Sequence, residues 1–159
     1  MTLVVQKYGG TSVADPERIR NVAARIKRQV AHGDQVAVVV SAMAGTTNQL
    51  VSWVHGLDAA GYDTAEYDQV VASGEQVSVG LLAIALQTLG VPARSFLGWQ
   101  AGFRTDAAYS KARILEIDPV PVRRCLDAGE VAVVAGFQGM GPEGRVTTLG
   151  RGGSDTSAV

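Results

Sequence analysis

Apolar residues along the chain fall into two patterns, unbroken runs of three to five and repeats at helical spacing, and the two alternate. Leu3-Val4-Val5 opens the chain as a short buried strand. Asp15-Pro16 then supplies an N-cap and a first-turn proline, and Ile19, Val22, Ala23, Ile26 and Val30 recur every three or four residues until Gly33. That predicts a helix over 16–32. Val36-Ala37-Val38-Val39-Val40 is apolar at every position without alternation, as expected for a central strand covered on both faces of a parallel sheet. Val131-Ala132-Val133-Val134-Ala135 repeats the pattern.

Helical blocks lie between these strands. Leu50, Val51, Val54 and Leu57 predict one helix ended by Gly61, and a second block starts near Thr64 with Tyr67, Val70 and Val71. Ser73-Gly74-Glu75-Gln76 fits a capping box for a new helix, which runs through Val77, Leu81, Leu82, Ile84 and Leu89 to Gly90. Because that helix is apolar around much of its girth, it should be buried, and Glu75 in its first turn should be partly desolvated. A strand near 93–97, short strands within 102–105 and 113–117, and a helix opened by Asp118-Pro119 and closed by Gly129 complete an α/β alternation.

Composition narrows the partners. The chain has 159 residues, one domain's worth, with 14 basic against 15 acidic residues and no basic run. Such a balance points away from nucleic acid and anionic membrane and toward a small molecule. The single cysteine, Cys125, excludes an internal disulfide and falls on the apolar side of its predicted helix, so it reads as a buried structural thiol. No uninterrupted apolar run approaches the ~20 residues of a membrane span, and no basic leader precedes the short apolar start, so a cytoplasmic location is expected.

The candidate chemistry sits at strand ends. In Lys7-Tyr8-Gly9-Gly10-Thr11-Ser12 a strand delivers a lysine, two glycines allow a tight turn with exposed N–H groups, and two hydroxyls precede a helix. That is the layout of a phosphate site. It is not a Walker A loop, because the lysine precedes the glycines. The strand 36–40 leads into Ser41-Ala42-Met43-Ala44-Gly45-Thr46-Thr47-Asn48, small and hydroxyl-rich, at the edge where open α/β sheets bind ligands; helix capping by Ser41, Thr46 or Thr47 is the plainer reading. Gly139-Met140-Gly141-Pro142-Glu143-Gly144 matches Gly-x-Gly-x-x-Gly after a strand, but it holds a proline and is followed by the β pattern Arg145-Val146-Thr147-Thr148-Leu149. A hairpin is therefore expected there, not a dinucleotide site. Finally, Gly150-Arg151-Gly152-Gly153-Ser154-Asp155 gathers a bidentate cation, backbone amides and a carboxylate after a short strand.

Taken together, Lys7-Tyr8-Gly9-Gly10-Thr11-Ser12, Val40-Ser41-Ala42-Met43, Ser73-Gly74-Glu75, Val134-Ala135-Gly136-Phe137-Gln138-Gly139 and Thr148-Leu149-Gly150-Arg151-Gly152-Gly153-Ser154-Asp155 resemble, in order and spacing, the aspartate kinases of the amino-acid kinase superfamily. The resemblance runs the whole length; Tyr8 replaces the commoner phenylalanine. It implies a three-layer αβα sandwich with a mainly parallel sheet and transfer of the ATP γ-phosphoryl group to the side-chain carboxylate of L-aspartate. By the same resemblance Lys7 and Asp155 are catalytic, Lys7 stabilising the transferring phosphoryl and Asp155 holding Lys7. Lys7, Gly9, Gly10, Thr11, Ser12, Gly152 and Gly153 would meet phosphate. Arg151 would fork the α-carboxylate, Glu75 would take the α-ammonium, and Ser41, Thr47 and Ser154 the remaining polar edges. Mg²⁺ would bridge the ATP phosphates without a protein cage.

Family members extend further, so residues 1–159 read as the N-terminal, acceptor-binding portion of a kinase domain truncated at its C-terminus. Completion by a following segment, or a homo-oligomer, is expected, and loss of neighbouring strands would leave an open sheet edge and an apolar patch. The rival reading is a non-catalytic module that binds an amino acid or completes a partner chain. Glutamate-like or carbamoyl-type acceptors are disfavoured by the paired Gly-Gly-Thr-Ser and Arg-Gly-Gly-Ser-Asp segments.

Overall fold

Strand and helix alternate in the computed structural model as the apolar pattern predicts; it describes residues 2–57, 60–150 and 152–159. Strand β1 is Leu3–Tyr8, followed by a 3-10 turn, Gly10–Val13, and helix α1, Pro16–Ala31. Asp15 caps α1 by accepting the Arg18 N–H at 2.8 Å. Then come β2 (Gln35–Val40), α2 (Thr46–Leu57), α3 (Thr64–Val71), α4 (Ser73–Thr88) and β3 (Ala93–Phe96). The chain continues with β4 (Phe103–Thr105), β5 (Ile114–Ile117), α5 (Val120–Asp127), β6 (Val131–Ala135), β7 (Gln138–Met140), β8 (Val146–Thr148) and α6 (Gly153–Ala158).

The main sheet is fully parallel, in the order β1-β2-β6-β3. Its two all-apolar strands, β2 and β6, lie inside, because each needs a helix layer over both faces. Val36, Val38, Val40, Val131 and Val133 pack under α1 and α4, against Ile26, Leu82 and Leu86. Val39, Ala132 and Val134 face the opposite way, toward Cys125 and Leu126 of α5. Helix, sheet and helix make the three layers. Since β2 and β6 are flanked on both sides, the open edges fall on β3 and on β1, where Leu3 and Val5 are exposed.

The short strands expected within 102–105 and 113–117 are β4 and β5, and with β7 and β8 they form a second, mostly antiparallel four-stranded sheet, β5-β4-β7-β8, whose pairing no sequence pattern indicates. The Gly139–Gly144 segment is the expected hairpin, with β7 and β8 antiparallel. Ser73 makes no capping box: α3 runs through Ala72 into α4 with helical backbone, and the Ser73 hydroxyl donates back to the Val70 carbonyl at 2.7 Å. This join also makes Thr64–Thr88 long and apolar enough, by length and composition, to cross a membrane, contrary to the expectation that no apolar run is that long. Half of its most apolar stretch is buried, however, and Asp68 and Glu75 of the same helical segment are buried too, as in core helices.

Candidate functional site

The carboxyl ends of β1 and β2 open into a cavity of about 730 Å³. Lys7 reaches it from the end of β1, and its Nζ pairs with Asp155 Oδ1 of α6 at 2.8 Å. With the Lys7 side chain one-third exposed and that of Asp155 70 % exposed, the pair adds little to stability. Its effect is to hold an ammonium group at the cavity wall. Gly10 lets the turn after β1 press against the loop after β2: a Cβ there would sit 2.8 Å from the Ala42 carbonyl oxygen. Beside it the Ser41 N–H donates to the Tyr8 carbonyl at 3.1 Å, and the Ser41 hydroxyl donates to Ser154 Oγ at 3.0 Å.

Glu75 enters from the first turn of α4 and is 3 % exposed. Its Oε1 accepts the Ala42 N–H at 3.1 Å, while Oε2 is buried and has no partner. Desolvation by burial pushes the carboxyl up to about 7, against the lowering effect of the Ala42 and Glu75 N–H groups. A buried carboxylate oxygen without a donor is costly unless a ligand supplies one. The close approach that buries it depends on Gly74, where a Cβ would lie 2.8 Å from that of Ala42.

Another part of the wall comes from the segments around β6 and β8. Gly136 follows β6 and touches Ser154 so closely that a Cβ would meet Ser154 Oγ at 2.7 Å. Phe137 then adopts φ 70°, a left-handed backbone disfavoured for a residue with a Cβ, and lines the cavity. Gly150 and Gly152 also take positive φ, at 77° and 76°, and lead into α6.

The structure therefore brings together Lys7, Gly10, Ser41, Thr47, Glu75, Gly152, Gly153, Ser154 and Asp155 on one cavity. Gly9, Thr11 and Ser12 are not in its lining: Gly9 precedes the 3-10 turn, the Thr11 carbonyl accepts a bond from Arg18, and the Ser12 N–H bonds the Gly9 carbonyl. Arg151 lies outside the described residues. Sequence reasoning missed Val51, Tyr67, Ser110 and Phe137 as lining residues. Only Phe137 carried a signal, as a bulky residue after a glycine at a strand end.

These features place the chain among αβα-layered domains with a ligand cavity at the carboxyl edge of a parallel sheet. Within that class it belongs to the amino acid kinase family, which it matches over residues 2–159. An aspartokinase of Thermus thermophilus is 52 % identical over 159 residues, covering 100 % of this chain and 39 % of the relative. The chain thus spans about two-fifths of that relative's length. The structure of aspartate kinase from Synechocystis superposes with a TM-score of 0.80 at 44 % identity, over 97 % of this chain and 25 % of that one. E. coli aspartokinase III in complex with aspartate and ADP gives 0.80 at 28 %, over 96 % of this chain and 44 % of that one.

Proposed function

We propose that this chain is the acceptor-binding portion of an ATP-dependent aspartate kinase, which transfers the γ-phosphoryl group to the side-chain carboxylate of L-aspartate. The observation that carries the reading is the unpartnered, buried Oε2 of Glu75 on a cavity that the Lys7–Asp155 pair also lines. An α-ammonium is the donor that Glu75 lacks. Lys7, on the same cavity, would then neutralise charge where the acceptor carboxylate and the phosphoryl group meet, which is most of the catalysis. Ser41, Thr47 and Ser154 supply polar edges for the substrate, and Gly10, Gly152 and Gly153 allow backbone to approach phosphate.

ATP suits the lysine and glycine turns at the cavity. Mg²⁺ would reach the site on the ATP phosphates. Bound there, Mg²⁺ would neutralise phosphate charge.

Arg151 is proposed as the fork for the α-carboxylate. Arg151→Ala is expected to raise the dissociation constant of L-aspartate by about 10- to 150-fold, the equivalent of one charge-assisted contact of about 1.5–3 kcal/mol. Titration calorimetry on the chain measures it, and an unchanged constant would remove Arg151 from the site. With the unaltered chain, absence of any aspartate binding would refute the acceptor reading itself.

A further inference from the structure

Asp68, on α3, is fully buried and belongs to none of the groups assigned above. Its carboxylate accepts the Ser110 N–H with both oxygens, at 3.0 and 2.9 Å, the Thr148 N–H at 2.8 Å and the Thr148 hydroxyl at 2.7 Å. The Ser110 and Thr148 N–H groups can only donate, and the Thr148 hydroxyl donates as well to the ionised carboxylate. Desolvation by burial raises its pKa, and these same bonds oppose the rise.

The two residues it holds come from separate segments, and both line the cavity. Ser110 sits at φ 66°, a left-handed backbone that persists in a residue with a Cβ only where its surroundings fix it. Thr148 ends β8 and leads through Leu149 to Gly150, another lining residue, immediately before Arg151 in the sequence. The Ala112 N–H also donates to the Thr148 carbonyl at 2.9 Å, so α3, the 106–112 loop and β8 close into a ring around one carboxylate.

The seating of α3 has other supports. Ala65 and Val71 are buried, Glu66 pairs with Arg145, and Gln138 Nε2 donates to the Ala72 carbonyl at 2.8 Å just beyond the helix. Loss of the carboxylate would therefore loosen the two cavity segments rather than unseat the helix. We infer that Asp68 is a positioning residue of the acceptor cavity, fixing Ser110 and Thr148, and through Thr148 the Gly150 turn, in the arrangement that receives the amino acid. The inference rests on the acceptor reading given above.

The test pairs calorimetry with L-aspartate and amide hydrogen exchange, on the unaltered chain, on Asp68→Asn and on Thr148→Val. In Asp68→Asn an NH₂ group faces donors, and the dissociation constant should rise about tenfold or more. The Ser110 and Thr148 amides should exchange faster while Val133, in the sheet core, keeps its protection. Thr148→Val removes only the hydroxyl bond, and about a threefold rise is expected. Adding Ser110→Gly to Asp68→Asn, which lets the loop hold φ near 66° without a Cβ, should recover at least part of the affinity.

An unchanged constant in Asp68→Asn, or protection lost equally across the sheet in the folded variant, would overturn the positioning role while leaving the acceptor reading intact. Should Asp68→Asn fail to fold, an unchanged constant in Thr148→Val does the same. No aspartate binding by the unaltered chain would overturn the acceptor reading and this inference together.

Discussion

Glu75→Gln is expected to weaken L-aspartate binding by about 10- to 150-fold and to abolish its pH dependence. In the unaltered chain burial has raised the Glu75 carboxyl to about 7, so near pH 6 most molecules carry it protonated. An α-ammonium favours the ionised form, so binding releases a proton; affinity should rise from pH 5 to about 7 and then level off. The proton count follows from calorimetry in buffers of different ionisation enthalpy.

The same shift bears on folding with the opposite sign. A carboxyl whose folded pKa lies above its ordinary value of 4.5 binds more protons when folded. Its contribution to stability is therefore fully present below pH 4.5 and is lost as pH rises through about 7. Glu75→Gln should remove that decline, and the unaltered chain should lose stability relative to the variant across this window. Equal pH profiles for the two proteins, in binding and in unfolding, would mean that Glu75 is not the titrating anchor.

A second large effect is expected at the Lys7–Asp155 pair. With the chain joined to the C-terminal remainder of the Thermus thermophilus relative, Lys7→Met should lower kcat by about 10²- to 10³-fold, the range for loss of one group that stabilises developing charge. Aspartate binding should change little. Asp155 bonds Lys7 Nζ at 2.8 Å and is proposed to act on the reaction through it, so Asp155→Asn added to Lys7→Met should cost far less than Asp155→Asn alone. Full additivity in that double-mutant cycle would separate their tasks.

What the sequence made legible follows the strength of its local signals. The fully apolar runs 36–40 and 131–135 read as strands covered on both faces, and they are β2 and β6 at the centre of the sheet. Asp15-Pro16 marked the start of α1 to the residue, because cap and first-turn proline both constrain the backbone there. The buried state of Cys125 followed from its helical face, and burial with the nearby Glu130 carboxylate pushes its thiol up to about 11.

Elements fixed by distant contacts were not legible. The second sheet is built from three- and four-residue strands whose pairing is chosen by tertiary packing. Asp68 carries no sequence signal of its own, and its role depends on Ser110 and Thr148, which lie 42 and 80 residues away. Ser73 had the composition of a cap but lies where two helices join. Of the glycine turn, Gly10 reaches the cavity whereas Thr11 and Ser12 turn away into the 3-10 segment. A motif gives residue types, not the direction in which a tight turn sends them.

The central claim, an aspartate carboxylate as the phosphoryl acceptor at this cavity, is tested most directly by trapping the acyl phosphate. The chain joined to the remainder of the Thermus thermophilus relative is incubated with ATP, Mg²⁺, L-aspartate and hydroxylamine, and the hydroxamate is measured beside ADP release. Aspartyl hydroxamate in step with ADP is predicted, with none from glutamate, none from the 159-residue chain alone, and strong loss in Glu75→Gln at sub-saturating aspartate. ADP release without aspartyl hydroxamate, or hydroxamate formed equally well from glutamate, would contradict it.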